Sequence, residues 1–288
     1  MSLPPTPIPD PESLTGPAPA LAEAVSAASI EPIVLPPPEP RFPAWSGWDV
    51  LAVLVFTTVA IFVFSLIALI IAGALLGYRG MPIHDLAAKL ATNASVVVGA
   101  QAAAYPVVLL FIFLLVRTRS HESFGKAIEW NWPGILAPGF LLGGGVFALV
   151  IESLSRYLPI PKSLPMDNYF HDATSAYMMA AFGITLAPLL EELFFRGLLY
   201  PMLRRWFGLV VAVVLTAVAF ASIHGAQLGY AWAPVLSIFV VGVVFTVVRV
   251  RMKSVASSFL MHCGYNFALF ALLWLASDHY NHLEKVAG

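Results

Sequence analysis

Long apolar runs constrain this chain more strongly than any other feature of its sequence. Charged residues make up 11% of the chain, against about 25% in typical soluble proteins. About 20 apolar residues in a helix cross the hydrocarbon core of a bilayer, and a helix satisfies its own backbone hydrogen bonds in lipid. We therefore predict an all-α, polytopic membrane bundle of about seven transmembrane helices. The predicted spans cover residues 49–77, 95–116, 133–157, 177–200, 206–224, 232–248 and 255–276.

The start of the chain is a separate, proline-rich segment. Thirteen of the 23 prolines precede Ala44, a composition that favours polyproline II or disorder over helix. We predict a disordered N-terminal tail over 1–47, a helical bundle over 48–277 and a short C-terminal tail over 278–288. The N-terminal tail is interpreted as an unstructured extension, with docking to a proline-binding partner as the alternative. No basic residue precedes Arg41, so the first span is expected to act as its own uncleaved signal.

Two features inside the spans predict local geometry. Pro106 interrupts the second span, where neighbouring helices must satisfy the freed backbone groups. In the third span, Gly139 and Gly143 have GxxxG spacing and are followed by Gly144 and Gly145. This pattern predicts a close approach between helices.

Basic residues are distributed unevenly between the two sides of a seven-span bundle. Cytoplasmic loops carry an excess of Lys and Arg, so the nine-to-five distribution predicts a cytoplasmic N-terminus. The N-terminal side would hold Arg41, Arg117, Arg119, Lys126, Arg204, Arg205, Arg249, Arg251 and Lys253. The opposite side would hold Arg79, Lys89, Arg156, Lys162 and Lys285.

Several function classes are excluded by inspection. The net charge of −1 and the lack of a basic patch argue against nucleic acid as a partner. Cys263 is the only cysteine, so the chain can form neither an internal disulfide nor a cysteine-based zinc site. The sequence also lacks the HExxH motif of zinc proteases and the GxSxG motif of serine hydrolases.

Three ionisable residues lie together within the fourth span. Each costs about 2.5–3.5 kcal/mol at the bilayer centre, so the cluster of Glu191, Glu192 and Arg196 needs a reason. Glu192 and Arg196 are four residues apart, share a helix face and can pair. Glu191 is rotated by about 100° from Glu192 and cannot join that pair in the same direction. The spacing thus predicts one neutralised glutamate and one free glutamate, and the free one is the functional candidate.

Other polar side chains lie on the spans that follow. His262 and Asn266 are four residues apart on the seventh span, and Phe220 has the same spacing to His224 on the fifth, which places a ring beneath the imidazole. A free carboxylate with two imidazoles and a carboxamide matches what water activation and oxyanion stabilisation require. The same set could instead relay protons. Neither chemistry is excluded by the residues alone.

These residues resemble the ordered motifs of a known family. Glu191-Glu192-x-x-x-Arg196-Gly197, Phe220-x-x-x-His224 and His262-x-x-x-Asn266 are similar to the three motifs of the CAAX-prenyl-protease and bacteriocin-processing (CPBP, or Abi) family of intramembrane proteases. The resemblance covers residues 175–270. It implies a helical membrane bundle with its active site in a cavity within the bilayer, and hydrolysis of peptide bonds.

The resemblance also implies a role for each residue. Glu191 would be the general base that activates water, His262 would assist it, and His224 and Asn266 would orient water or stabilise the oxyanion. Support of the site would come from Glu192, Arg196 and Phe220. Members are often described as metalloproteases, and Glu191, His224 and His262 could hold zinc with an open position. We favour a mechanism without an obligatory metal, because Asn266 suits hydrogen bonding better than zinc ligation.

Two hypotheses follow from the sequence. The first is an intramembrane endopeptidase that cuts a membrane-associated protein or peptide: a prenylated CAAX tail, a bacteriocin leader or another membrane peptide. The second is a transporter or interaction protein that uses the same buried set without hydrolysis, although the internal repeats typical of transporters are not found. One inconsistency concerns depth, because a fifth helix beginning at Trp206 would carry His224 to the far end of the span.

Overall fold

The computed structural model describes residues 42–78 and 80–283, and every regular element in these ranges is helical. This confirms the all-α prediction. Residues 1–41 of the predicted N-terminal tail and residues 284–288 of the C-terminal tail lie outside the described ranges. The α-helices are α1 (Gly47–Leu75), α2 (Ile83–Leu90), α3 (Ala94–Arg119), α4 (Phe124–Ala127), α5 (Ala137–Ser155), α6 (Ala173–Ile184), α7 (Leu186–Glu192), α8 (Tyr200–His224), α9 (Trp232–Met252) and α10 (Val255–Ala276). Two 3₁₀ turns (Gly134–Leu136 and Pro165–Tyr169) and a π-helical segment (Leu193–Leu199) complete the set.

Six helical stretches of the described chain are long and apolar enough to cross a membrane. The predicted count of about seven is therefore close. Five of the stretches correspond one to one with predicted spans, and the sixth contains both the predicted fourth and fifth spans. The six are Gly47–Leu75, Ala94–Arg119, Gly134–Ser155, Ala173–His224, Trp232–Met252 and Val255–Ala276.

The 52-residue stretch Ala173–His224 reverses direction inside its length. Gly208 has φ 77° and ψ −178°, which is not helical. Phe220 follows Arg196 by 24 positions, and a straight helix would hold them about 36 Å apart. Instead, the Arg196 guanidinium lies 4.5 Å from the centre of the Phe220 ring. The chain therefore folds back at Gly208, and residues 209–224 form a helix that begins later than Trp206.

Helix α2 was not predicted from the sequence. Helix α2 follows the first span and is only eight residues long, with Leu86 and Leu90 buried. The Leu86 side chain packs where a Cβ at Gly73 would lie. Helix α2 thus folds against the end of α1, because its two leucines are one turn apart on a single face.

The closest helix pair of the bundle is α5 with α10. A Cβ at Gly144 would overlap the carbonyl oxygen of Met261, and one at Gly264 would overlap the carbonyl oxygen of Leu141. The close approach predicted from the glycine pattern is therefore confirmed. It runs through Gly144 and Gly145, whereas a Cβ at Gly139 or Gly143 would meet nothing within 4 Å. Reciprocal glycines bring the two backbones together here, and this contact fixes the part of α10 next to His262.

One end of the bundle gathers the start of α1 and the ends of later helices. Arg119 at the end of α3 pairs with Asp49 at 2.7 Å. Arg205 donates to the carbonyl oxygen of Pro43 at 3.2 Å, and the Trp45 indole N–H donates to the carbonyl oxygen of Leu198 at 3.0 Å. Basic residues from two separate parts of the sequence, Arg119 and Arg205, therefore meet at the end where α1 begins.

Candidate active site

The segment that carries the charged cluster departs from α-helical geometry. Helix α7 ends at Glu192, and residues Leu193–Leu199 continue as a π-helix. The backbone N–H of Tyr200 donates to the carbonyl oxygen of Phe195, five residues earlier. Single π-helical turns inside longer helices are rare and are frequent at functional sites. The wider turn changes the directions in which the side chains before and after it point.

Glu192 and Arg196 form the ion pair that their spacing predicts. Arg196 Nη1 donates to Glu192 Oε1 at 2.9 Å, and both side chains are wholly buried. Arg196 Nη2 also donates to the carbonyl oxygen of Gly242 on α9, at 3.0 Å. A buried charge pair of this kind is stable only when each group keeps its partner. The pair therefore ties the π-helical segment to α9.

Aromatic rings surround the guanidinium of Arg196. Its centre lies 4.5 Å from the Phe220 ring, 5.6 Å from the Phe245 ring and 5.9 Å from the Phe195 ring. The faces of aromatic rings attract cations, and the attraction is stronger when water is excluded. Phe220, expected as a support residue beneath His224, thus also supports the buried cation.

His262 lies between the two glutamates. Its Nδ1 is 3.0 Å from Glu192 Oε1, and its Nε2 is 3.7 Å from Glu191 Oε2. Because the Glu192 carboxylate accepts hydrogen bonds, it fixes the Nδ1 proton and the orientation of the ring. The other ring nitrogen then faces Glu191, whose side chain is 18% exposed while that of Glu192 is fully buried. Glu191 is accordingly the less buried glutamate of the pair.

His224 is anchored by its own helix. Its Nδ1 lies 2.9 Å from the carbonyl oxygen of Phe220, so Nδ1 carries the proton and Nε2 of the neutral ring carries none. The Phe220 ring contacts both imidazoles, with centroids 4.8 Å from His224 and 5.8 Å from His262. Among the described residues, no hydrogen bond or ion pair joins His224 directly to Glu191. A single ring therefore connects His224 to the rest of the cluster.

Asn266 uses part of its amide for a helix contact. Its Nδ2 donates to the carbonyl oxygen of Gly183 at 2.7 Å, which ties α10 to the end of α6. One amide hydrogen of Asn266 is thus already engaged. The second amide hydrogen and the side-chain oxygen remain for contacts with water or substrate. The oxyanion role that the resemblance implied for Asn266 stays a prediction.

The residues considered as zinc ligands do not assemble into a metal site. Within residues 42–78 and 80–283, no group of three His, Cys, Asp or Glu side chains is placed to hold a metal ion. The hypothesised set of Glu191, His224 and His262 therefore does not fit zinc, and no step of the chemistry below passes through a metal.

Two polar residues of the second span, Gln101 and Tyr105, lie outside the family motifs and were not predicted as part of the site. Tyr105 on α3 is 6% exposed and lies within electrostatic range of Glu191. Its hydroxyl donates to Gln101 Oε1 at 3.3 Å, and its ring packs against Phe182 at 5.2 Å. Gln101 and Tyr105 are four residues apart, as are Phe220 and His224, so the sequence could have predicted that they share a helix face.

The comparisons with known proteins agree with the motifs. A family model described as type II CAAX prenyl endopeptidase Rce1-like matches residues 173–268. This range holds all seven residues singled out for the site and confirms the family resemblance. No curated protein and no solved structure matches the chain. The protein is a multi-pass integral membrane protein in which residues 173–268 match the Rce1-like model of the type II CAAX prenyl endopeptidases.

Proposed function

We propose that the protein is an intramembrane endopeptidase that hydrolyses a peptide bond of a membrane-associated protein or peptide, with Glu191 as the general base. The observation that carries this proposal is the arrangement of Glu191, His262 and Glu192. A carboxylate that is 18% exposed lies 3.7 Å from an imidazole whose other nitrogen is held at 3.0 Å by a fully buried carboxylate. Fixed tautomer and orientation are what acid–base catalysis requires of a histidine.

The chemistry needs only this chain and one water molecule. Glu191 takes a proton from water while the water oxygen attacks the carbonyl carbon of the scissile bond, giving a tetrahedral oxyanion. The second amide hydrogen of Asn266 is available to donate to that oxyanion. Nε2 of His224 carries no proton while Nδ1 donates to Phe220, so it can accept a hydrogen bond from the attacking water and orient it. The proton then passes to the leaving amine as the carbon–nitrogen bond breaks. Glu191 returns to its carboxylate form.

The substrate class follows from the family and from the place of the site. The matching family description names prenylated CAAX proteins as targets, and a prenylated tail is anchored at a membrane. We propose a lipid-anchored or membrane-inserted peptide as substrate, with a prenylated CAAX tail as the first candidate. Bacteriocin leaders and other membrane peptides are the further candidates to be included in a screen.

A cleavage assay tests the proposal. The wild-type protein in nanodiscs is incubated with a peptide library that contains prenylated and unprenylated forms of the same CAAX sequences, and products are identified by mass spectrometry. Glu191→Gln should lower kcat by about a thousandfold or more, as expected when a general base is lost from a site that acts as a unit. Glu152→Gln is the matched control, because Glu152 is an exposed glutamate at the end of another span.

Three results would contradict the proposal or part of it. Equal product release by wild type and Glu191→Gln would remove Glu191 from the reaction. Proton flux into vesicles that depends on Glu191, together with no cleavage of any peptide, would favour a transporter that uses the same side chains. Loss of activity with EDTA, reversed by zinc, would overturn the metal-independent chemistry.

A further inference from the structure

The π-helical segment leaves one backbone carbonyl without a helical donor. Tyr200 N–H bonds to the carbonyl oxygen of Phe195 in the five-residue pattern. In the same pattern the next carbonyl oxygen, that of Arg196, would accept from residue 201. Residue 201 is a buried proline and has no N–H to donate. A buried carbonyl without a donor is costly, so the donor must come from elsewhere in the molecule.

Arg249 supplies that donor. Its Nε donates to the carbonyl oxygen of Arg196 at 3.3 Å, and the whole residue is 2% exposed. Its guanidinium also lies 5.9 Å from the centre of the Tyr200 ring, at the end of the same segment. An arginine from α9 thus replaces the backbone hydrogen bond that Pro201 cannot make.

Arg249 is itself held in place from the chain that follows α4. Its Nη2 forms an ion pair with Glu129 Oε2. Glu129 has a positive φ of 57° and accepts a hydrogen bond at 3.0 Å from the backbone N–H of Val255, the first residue of α10. Arg249 and Glu129 together therefore connect the π-helical segment with the start of α10, the helix that carries His262.

We infer that Arg249 is a positioning residue of the candidate active site, which sets the register of the π-helical segment and thereby the placement of Glu191 and Glu192 against His262. The contacts are continuous. Arg249 holds the Arg196 backbone, the Arg196 side chain holds Glu192 at 2.9 Å, and Glu192 holds His262 at 3.0 Å. A displacement of about 1 Å at a catalytic site can lower a rate by about a hundredfold.

The geometry suggests a rescue experiment. Arg249→Lys keeps the positive charge beside Glu129 but removes the Nε–H that reaches Arg196. Arg249→Met removes both. Pro201→Ala returns an N–H at the position that the five-residue pattern requires, so it should restore the function of either variant. Arg251→Met is the matched control, because Arg251 is an exposed arginine in the same last turn of α9.

The first readout does not depend on cleavage. Intramembrane carboxyl groups react with dicyclohexylcarbodiimide, and the rate of modification at Glu191 can be followed by mass spectrometry well below the unfolding temperature. We expect Arg249→Lys to change this rate by about threefold or more, Arg251→Met to leave it unchanged, and Pro201→Ala to return it to the wild-type rate. A merely structural role would lower the unfolding temperature without changing the labelling of the folded protein.

The second readout rests on the proposed protease function. Arg249→Lys should lower kcat by about tenfold or more with little change in KM, and Pro201→Ala should recover most of the loss. A wild-type protein that cleaves nothing would refute the protease, while the labelling result still tests Arg249. The inference is overturned if Arg249→Lys labels at the wild-type rate, or if Pro201→Ala fails to restore the labelling rate in both Arg249 variants.

Discussion

His262 Nδ1 lies 3.0 Å from the same oxygen of Glu192 that accepts the hydrogen bond from Arg196 Nη1. One buried carboxylate oxygen therefore serves two donors. The family resemblance implied that Glu192 supports the site. In the structure Glu192 contacts Arg196, which ties the π-helical segment to α9, and His262, which faces Glu191. Glu192 Oε1 therefore contributes both to the stability of the fold and to the orientation of His262, and suitable variants can separate these two contributions.

Variants of the buried pair should separate stability from activity. Glu192→Gln leaves Arg196 buried without its counter-charge, which typically costs about 3–5 kcal/mol, so the folded yield should fall sharply. Replacing both residues, as Glu192→Leu with Arg196→Met, removes the buried charge and should recover most of the folded protein.

The double variant should nevertheless cleave slowly, because His262 has lost the acceptor that orients it. Thermal unfolding in detergent and kcat on the same peptide measure the two effects. Wild-type kcat in the double variant would show that Glu192 has no role in orienting His262. A yield as low as that of Glu192→Gln would show that the pair is needed for more than charge balance.

Tyr105 should contribute to the site from the second span. Tyr105→Phe removes a hydroxyl that donates to Gln101 and lies within electrostatic range of Glu191. The loss of one buried hydrogen bond costs about 1 kcal/mol of stability, whereas kcat should fall by about tenfold. Tyr177→Phe is a suitable comparison. The Tyr177 hydroxyl also makes a hydrogen bond, which it accepts from the Trp274 indole N–H at 3.1 Å, but its neighbours are Trp274 and Tyr280. Equal kcat in Tyr105→Phe and wild type would remove Tyr105 from the site.

The residues that sequence patterns could place are those whose partners lie on the same helix. The Glu192–Arg196 pair and the Phe220–His224 contact are both four residues apart, and both are present. Contacts between helices were harder to predict, because spacing along one helix does not state which face meets which neighbour. The Glu192–His262 bond, the engagement of Asn266 by Gly183 and the Arg249–Arg196 contact are all of this second kind.

Helix boundaries show the same limit. Hydropathy placed the five isolated spans well, but it cannot report a reversal at a single glycine within an apolar run, as at Gly208. The fifth helix starts after Gly208, later than the start at Trp206 on which the inconsistency in the depth of His224 rested. The glycine pattern of the third span predicted a close approach that is present, but it could not say which glycines take part, because the contact surface also depends on Gly264 of the partner helix.

Gly144 should tolerate no side chain, while its neighbour Gly143 should. Gly144→Ala would place a methyl group against the backbone of Met261, and overpacking of this kind costs about 1–3 kcal/mol. A Cβ at the neighbouring Gly143 would meet nothing within 4 Å, so Gly143→Ala should be neutral or stabilising by about 0.5–1 kcal/mol. Unfolding temperatures of the two variants in one detergent provide the measurement. Equal destabilisation would show that the α5–α10 contact is not formed as described.

The basic end of the bundle should face the cytoplasm. Arg119, Arg205 and the start of α1 meet at this end, and cytoplasmic ends carry the excess of positive charge. Cys263 is the only cysteine and is buried, so single-cysteine labelling has a clean background in Cys263→Ser. Lys126→Cys replaces an exposed residue that follows the second span, and Lys162→Cys replaces an exposed residue that follows the third. In intact cells a membrane-impermeant maleimide should label Lys162→Cys and spare Lys126→Cys, and both should react once the cells are opened. The reverse pattern would place the N-terminus outside, and labelling of both in intact cells would contradict the crossing of α5 between them.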